Sequence, residues 1–436
     1  MKLKSVLWGG DKPGRAVTLG IQHVFAMFGS TVLVPTLTGL DPAVTLLCMG
    51  IGTLIFHLFT GFKVPAFMGS SFAFIAAICA VKDYCAENAV EGNFSSYVGI
   101  GIMASGILYL LLAGFVKLFG AKRITSFFPP IVTGCMIIII GMMLAPTAMN
   151  SVTTVAEGIP VWKNWVVAAF TVAVIVGVMF FVRGFFKLIP ILIGIVAGYL
   201  LSMALGMVET APVAKAAWFH LPEFAFPTFA DMDAVIYAIT MIAPIAVVTF
   251  VEHVGDITAN GAVTGHNYIE DPGLHRTLMG CGLASVFSGA MGGPAATTYS
   301  ENTGVLAATR NYNPATLRIA AVFAIVLSLF GKVSGVLATI PGPVMGGVSI
   351  ILFGMIASVG LRMLVENNVD FTKSYNLIIA AVMLVIGLGL TGGVSFGSFE
   401  VSSTAIAAVL GVVLAKILPQ EDADEKKAKK QASASK

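Results

Sequence analysis

The chain has 436 residues, of which 57% are hydrophobic and 11% charged, against roughly 25% charged in an ordinary soluble domain. Its 25 lysines and arginines and 22 carboxylates leave a formal charge of +3, and six of the basic residues fall in the last 21 positions, so no basic face remains for nucleic acid. A water-soluble globule and a nucleic-acid binder are both excluded, and the 47 glycines and 19 prolines are what packed membrane helices tolerate.

A bilayer core takes about 20 apolar residues per helix. Cutting the chain at polar or Gly/Pro-marked breaks predicts an all-α polytopic protein of fourteen segments. They centre near Ala26, Gly52, Ala73, Ser105, Ile138, Ala173, Ile195, Pro244, Leu283, Gly304, Val326, Leu352, Leu384 and Val409. The stretches 64–80 and 294–308 are short and polar for spans. Lys2 and Lys4 precede only a short apolar patch before Gly9 to Pro13, so the first span is expected to insert without a cleaved signal. With a cytoplasmic N-terminus, 21 of the 25 basic residues fall on the inner side, leaving Lys82, Lys163, Lys215 and Lys332 outside. That asymmetry is the positive-inside pattern and predicts a multi-pass protein of the cell inner membrane with both termini cytoplasmic. The lysine-rich tail from residue 419 to 436 is low-complexity and is expected to be disordered and solvated. The five cysteines, Cys48, Cys79, Cys85, Cys135 and Cys281, show no metal-ligand or paired spacing, so neither a metal nor a redox cofactor is expected.

Three internal echoes keep their order along the chain. Gln22-His23-Val24 recurs as Glu252-His253-Val254 at an offset of 230, and the nine residues from Val64 to Phe72 match those from Gly293 to Glu301 at an offset of 229. A third, Pro130 to Gly134 with Gly141 against Pro343 to Gly347 with Gly354, repeats at an offset of 213. Two halves of seven spans follow, and an odd number inverts the second half in the membrane. In inverted repeats of this kind the matched, Pro-interrupted segments point to the substrate site, here 64–76 and 293–305. In each, proline and the small hydroxyl residues favour extended backbone, whose unpaired groups are tolerated only where they line a cavity.

An ionisable side chain inside a span marks function by default. Glu252 and Asp256 stand four apart, on one helix face, and Glu301 ends the second broken segment. A carboxylate in a low-dielectric cavity can gain and lose a proton near neutral pH. Two acceptors together with free N–H groups at half-helix starts suit a small planar molecule presenting ring N–H groups and carbonyl oxygens. Phe72 offers a ring to stack on it. Gln22 and His23 are polar positions of the first span that suit an interhelical hydrogen bond, and His57 lacks matching polar neighbours in the sequence and reads as structural. An anion carrier would need a cation beside these carboxylates. An enzyme would need a nucleophile or metal constellation that the spacing does not provide.

The run Glu301-Asn302-Thr303-Gly304-Val305-Leu306-Ala307-Ala308-Thr309-Arg310 resembles the signature of the nucleobase-ascorbate transporter family. Gln22-His23, Gly69 to Phe74 and Glu252-His253-Val254-Gly255 resemble further motifs of that family in the same order. The likeness covers about residues 15–418. It implies a core domain (15–120 and 233–338) and a gate domain (121–232 and 339–418), with short antiparallel strands in segments 3 and 10. It further implies a binding site formed by Phe72, Glu252, Tyr299, Ser300 and Glu301, supported by Gln22 and Asn302. Proton coupling would run through Glu252, Asp256 and His23, with protons as coupling ion and no other cofactor, and the partners would be a nucleobase, membrane lipid and a second copy joined through the gate domain. The pyrimidine branch is expected to carry His where Asp256 stands, a residue familiar from the purine branch. Glu301, where xanthine and urate carriers have Gln, favours a pyrimidine. Uracil is therefore the implied cargo, with a purine base as the alternative, and no enzymatic activity is implied.

Overall fold

The computed structural model describes residues 12–155, 159–390, 394–396 and 399–419; Lys2, Lys4 and the expected tail from Gln420 onward lie outside them. The apolar runs fold as helices whose ends follow local chemistry. Helix α1 (Pro13–Thr38) starts on a proline and closes on Gly39 with φ 83°, the arrangement expected where a helix must begin without an N–H partner and end in left-handed backbone. Helix α2 (Pro42–Phe59) starts where the Asp41 carboxylate accepts from the Ala43 amide at 2.6 Å, an N-cap. Then come strand β1 (Met68–Ser70), a 3-10 turn at Phe72–Phe74, α3 (Ile75–Glu87), α4 (Phe94–Phe119), α5 (Ala121–Thr125), α6 (Pro130–Met143), α7 (Ala145–Thr153), α8 (Val161–Phe181), α9 (Pro190–Ala204) and α10 (Ala211–Lys215). The second part of the chain gives α11 (Met232–Ile242), α12 (Ile245–Thr264), α13 (Leu274–Ala290), β2 (Ala296–Thr298), α14 (Ser300–Thr309), α15 (Pro314–Ser328), α16 (Gly331–Ala338), α17 (Gly342–Glu366), α18 (Ser374–Gly389), a β3–β4 hairpin (Val394–Phe396, Phe399–Val401) and α19 (Ser403–Ile417).

Among the described residues seven helical stretches are long and apolar enough to cross a membrane, or eight if the bent pair α15 and α16 counts as one span. Helices α9, α18 and α19 are apolar but shorter. The chain is thus a multi-pass, mostly helical membrane protein. The two stretches read as short and polar are the places where helix gives way to strand.

Close helix contact comes from glycine rather than from interlocked bulky side chains, as is common in bilayers. Helices α4 and α13 cross with Gly99 and Gly106 facing Gly289 and Gly282. A Cβ on Gly106 would come within 2.7 Å of the Gly282 carbonyl, and one on Gly282 within 2.9 Å of that of Gly106. Helices α6 and α17 repeat the device through Gly134 and Gly360, where a Cβ on Gly360 would approach the Gly134 carbonyl to 2.7 Å. Helix α15 packs on α1 and α2, and α17 also covers α7, α8 and α9. Strands β1 and β2 pack against α1, α2, α12 and α13.

Candidate functional site

Strands β1 and β2 pair antiparallel in the interior, with Met68 opposite Thr298, Gly69 opposite Thr297 and Ser70 opposite Ala296. Extended backbone at this depth must find partners for its polar groups within the protein. Thr53 Oγ1 accepts from the Met68 amide at 2.9 Å, His57 Nε2 lies 2.9 Å from the Ala66 carbonyl, and Asn260 Nδ2 donates to the Pro65 carbonyl at 2.8 Å. On the other strand Ser285 Oγ accepts from the Ala296 amide at 3.1 Å and Ser288 Oγ donates to the Pro294 carbonyl at 2.6 Å. Thr53 and His57 stand one turn apart on α2, while Ser285 and Ser288 do the same on α13. Each broken segment is therefore pinned along one face of the helix that precedes it.

His57 departs from the sequence expectation of a histidine without polar neighbours. Residues 60–66 turn back beneath α2, so its Nε2 meets Ala66 and its Nδ1 lies 3.4 Å from Arg318 Nη1. The imidazole is neutral in this arrangement, donating from Nε2 and accepting on Nδ1. Arg318 also sits over the Phe62 ring, 5.1 Å from its centroid.

Both strands feed helices: β2 runs directly into α14, and β1 into the 3-10 turn and α3. Unpaired N–H groups at the helix starts thus collect beside the crossing. Glu301 lies in the first turn of α14, half-buried, and accepts from Ser30 Oγ of α1 at 2.9 Å. Helix α12 packs against α14 and carries Glu252, which is half-buried. One turn on, Asp256 Oδ2 accepts from Thr298 Oγ1 of β2 at 2.8 Å. The ion pairs found among the described residues, Lys63–Asp271 and Arg362–Glu366, lie at exposed positions away from these carboxylates. Such a pair of half-buried acceptors beside helix N-termini is suited to a neutral ligand that donates hydrogen bonds.

The remaining residues singled out in the sequence fall around the same crossing. The Phe72 and Tyr299 rings stack at 6.3 Å with an interplanar angle of 13°. Tyr299 itself is buried: its ring covers Gly69, where any Cβ would collide with it, and its hydroxyl donates to the Ser70 carbonyl at 2.9 Å. Ser300, next in the chain, is exposed. Asn302 Nδ2 donates to His23 Nδ1 at 3.1 Å and is 3.2 Å from the His23 carbonyl, so α1 and α14 are joined there as well as at Ser30. Gln22 is half-buried with its Oε1 unpartnered among the described residues. Sequence reasoning missed Ser30, although it stands seven residues after His23 and so faces the same partner. It also missed Thr298, two residues after Ala296 and on the same side of β2. Two cavities of the protein are lined by neither the carboxylates nor the strands of this site. One of about 110 Å³ runs along Ala73, Ala76, Ala77 and Ala80 towards Ser403, and one of about 560 Å³ opens between Thr36, Asn150 and Thr154.

Comparison with known proteins follows the same lines. The uracil permease of Bacillus caldolyticus is 44% identical over 420 residues, covering 95% of each chain. The uracil permease of Bacillus subtilis (strain 168) is 43% identical over 412 residues, covering 93% of this chain and 92% of that one. Among solved structures, the transmembrane domain of a cyanobacterium bicarbonate transporter, BicA, superposes with a TM-score of 0.63 at 16% identity, covering 92% of this chain and 96% of that one. At that identity the likeness concerns the fold alone. The family model described as Permease family matches residues 14–395. The resemblance read from the motifs is borne out by these matches: the chain belongs to the Permease family.

Proposed function

We propose that this protein imports uracil across the cytoplasmic membrane in symport with protons. The observation that carries the reading is that Glu252 and Glu301 stand half-buried on two helices in contact, α12 and α14, in a chain more than two-fifths identical to two uracil permeases. A pyrimidine base presents ring N–H groups flanked by carbonyl oxygens. The two carboxylates accept from the former, and the free amides at the start of α14 donate to the latter. Phe72, held against Tyr299, gives the ring a flat face, and the backbone around Ser300 holds the remaining polar edge of the base.

The architecture that fits this reading is fourteen segments in two inverted halves of seven. The pairing of two segments already matched at an offset of 229 supports it; in that alignment Phe72 and Glu301 occupy equivalent positions. A core domain (15–120 and 233–338) carries the site, and a gate domain (121–232 and 339–418) forms the wall against which the core moves in alternating access. Both termini face the cytoplasm, and two copies associate through the gate domain. Glu252 is the proton carrier, with Asp256 tuning it and His23 holding α14 in place through Asn302.

Uptake of labelled uracil into proteoliposomes with an imposed proton gradient tests the proposal. Accumulation that collapses when the gradient is dissipated, and that excess thymine or uracil but not xanthine or hypoxanthine suppresses, is the expected result. Suppression by the purines at equal concentration would assign the site to a purine base instead.

A further inference from the structure

Between α9 and α11 the chain runs as an irregular strap over one end of the bundle. Its polar backbone is claimed by the helices beneath. Lys332 Nζ of α16 donates to the carbonyls of Val213 and Ala214 at 2.7 and 3.1 Å, the His220 amide donates to Leu329 O at 3.0 Å, and the Ala225 amide donates to Met291 O at 3.3 Å. Glycines allow the close fit: a Cβ on Gly331 would come within 2.6 Å of Ala217 O, and one on Gly292 within 2.7 Å of the Ala225 side chain. Pro222 and Ala225 are buried against the bundle.

What the strap turns outward is mostly apolar, with His220 and Glu223 exposed among large side chains. Trp218 is 70% exposed, Phe219 73%, Leu221 74%, Phe226 60% and Phe229 64%. A row of large apolar side chains in water would be costly, since removing their surface from water is what the hydrophobic effect favours. The strap lies at the helix ends, and its neighbour α16 is turned by 79° from the line of α15. The strap thus meets the bundle where α13 and α15 end, at Met291 and Leu329. Lys332 stands over Trp218, its ammonium 5.9 Å from the ring centroid, an arrangement of cation and amphipathic ring that suits the polar–apolar boundary. Trp162 and Trp165, at the start of α8, are also exposed, and α8 is tied to the root of the strap by Lys163 Nζ donating to Leu205 O at 2.8 Å.

We propose that residues 216–230 are an interfacial anchor whose aromatic side chains seat among the headgroups and upper acyl chains of phospholipids, continuous with the belt begun by Trp162 and Trp165. Because the strap bonds to Met291, just before the Pro294 break that leads into β2, the anchor also holds the entry of the second broken segment at a fixed depth. The proposal needs only that the chain spans a bilayer, and stands or falls independently of the transported substrate.

The test uses the full chain carrying Trp8→Phe, Trp162→Phe and Trp165→Phe, which leaves Trp218 as the sole tryptophan, reconstituted in phosphatidylcholine vesicles. Trp218 emission is expected to be quenched several-fold more by lipid brominated near the glycerol end of its acyl chains than by lipid brominated near the terminal methyl, and little by aqueous iodide. Quenching by iodide with none by either brominated lipid would place the strap in water and overturn the proposal. Protection from all three quenchers, together with cross-linking between copies through Phe226→Cys, would place it in a protein interface and overturn it equally. If the triple substitution impairs folding, the emission lost between the native chain and Trp218→Phe supplies the same reading.

Discussion

Ser30 Oγ donates to Glu301 Oε1 at 2.9 Å across 271 positions of the chain. This bond joins α1 to the first turn of α14. With the Asn302–His23 contact seven residues earlier on α1, it fixes both the rotation of α14 and the direction in which the Glu301 carboxylate points. A carboxylate that had to be ordered by its ligand would lose side-chain entropy on every binding event; here the ordering is already built into the protein.

Ser30→Ala is therefore expected to weaken uracil binding without unfolding the protein. A hydrogen bond to a charged group contributes about 1.5–3 kcal/mol, which corresponds to a rise of about tenfold or more in Kd. Isothermal calorimetry on the purified protein checks this, with Glu301→Gln as the comparison in which binding is lost altogether. An unchanged Kd for Ser30→Ala would mean that the bond does not orient the acceptor.

Phe72 separates two roles for its ring. If it stacks on the base, Phe72→Ala weakens binding by about 1–3 kcal/mol, while Phe72→Tyr retains most of the affinity. If its contact with Tyr299 only packs the crossing, both variants lower thermal stability and leave Kd unchanged. Thermal denaturation and calorimetry on the same preparations distinguish the two.

The elements that position the site were legible in the sequence for a definite reason. Proline and hydroxyl residues in two short, matched stretches conflict with continuous helix, and both stretches proved to contain strand. Glu252, Asp256 and Glu301 stood out because carboxylates are rare in apolar runs. The contacts between them and their hydroxyl partners were not legible, because Ser30 and Thr298 are ordinary in a membrane helix or strand until the rotation of each element is known. His57 was read as structural, which its buried contact with the Ala66 carbonyl agrees with, but its partners were hidden for a similar reason. Its partners are a backbone carbonyl nine residues away and an arginine 261 positions on, neither of which helical periodicity brings near.

The role of His57 is open to a direct measurement. His57→Leu leaves the Ala66 carbonyl buried without a donor, at a cost of about 1–3 kcal/mol, and frees the backbone just ahead of β1. A lower melting temperature and a raised KM for uracil uptake are expected together. His57→Gln, whose amide can still donate to that carbonyl, is expected to restore KM more fully than it restores the melting temperature, since it does not replace the ring packed beside Phe56. Equal loss of KM in both variants would show that the hydrogen bond does not position the strand.

Proton coupling is the last expectation, and it turns on Glu252. The carboxylate precedes Asp256 by one turn on α12, which packs against the helix that carries Glu301, and charges held close together in a low-dielectric space repel one another. A proton taken up by one of them from the more acidic side relieves that repulsion and lets the loaded protein reorient. Transport that requires protonated Glu252 is fully present at low external pH and is lost as pH rises through its titration. Glu252→Gln keeps the shape and neutrality of the protonated acid but cannot release a proton, so it is expected to abolish accumulation against a gradient. Exchange of labelled for unlabelled uracil needs only reorientation of the loaded carrier and is expected to survive. Asp256→Asn, which alters the neighbour held by Thr298, is expected to shift the pH profile more than it lowers maximal uptake. Uptake against pH in proteoliposomes, for the native protein and both variants, decides between the carriers. Accumulation by Glu252→Gln with an unaltered pH dependence would remove Glu252 from the proton path and leave Asp256 and His23 as the groups that remain to be tested there.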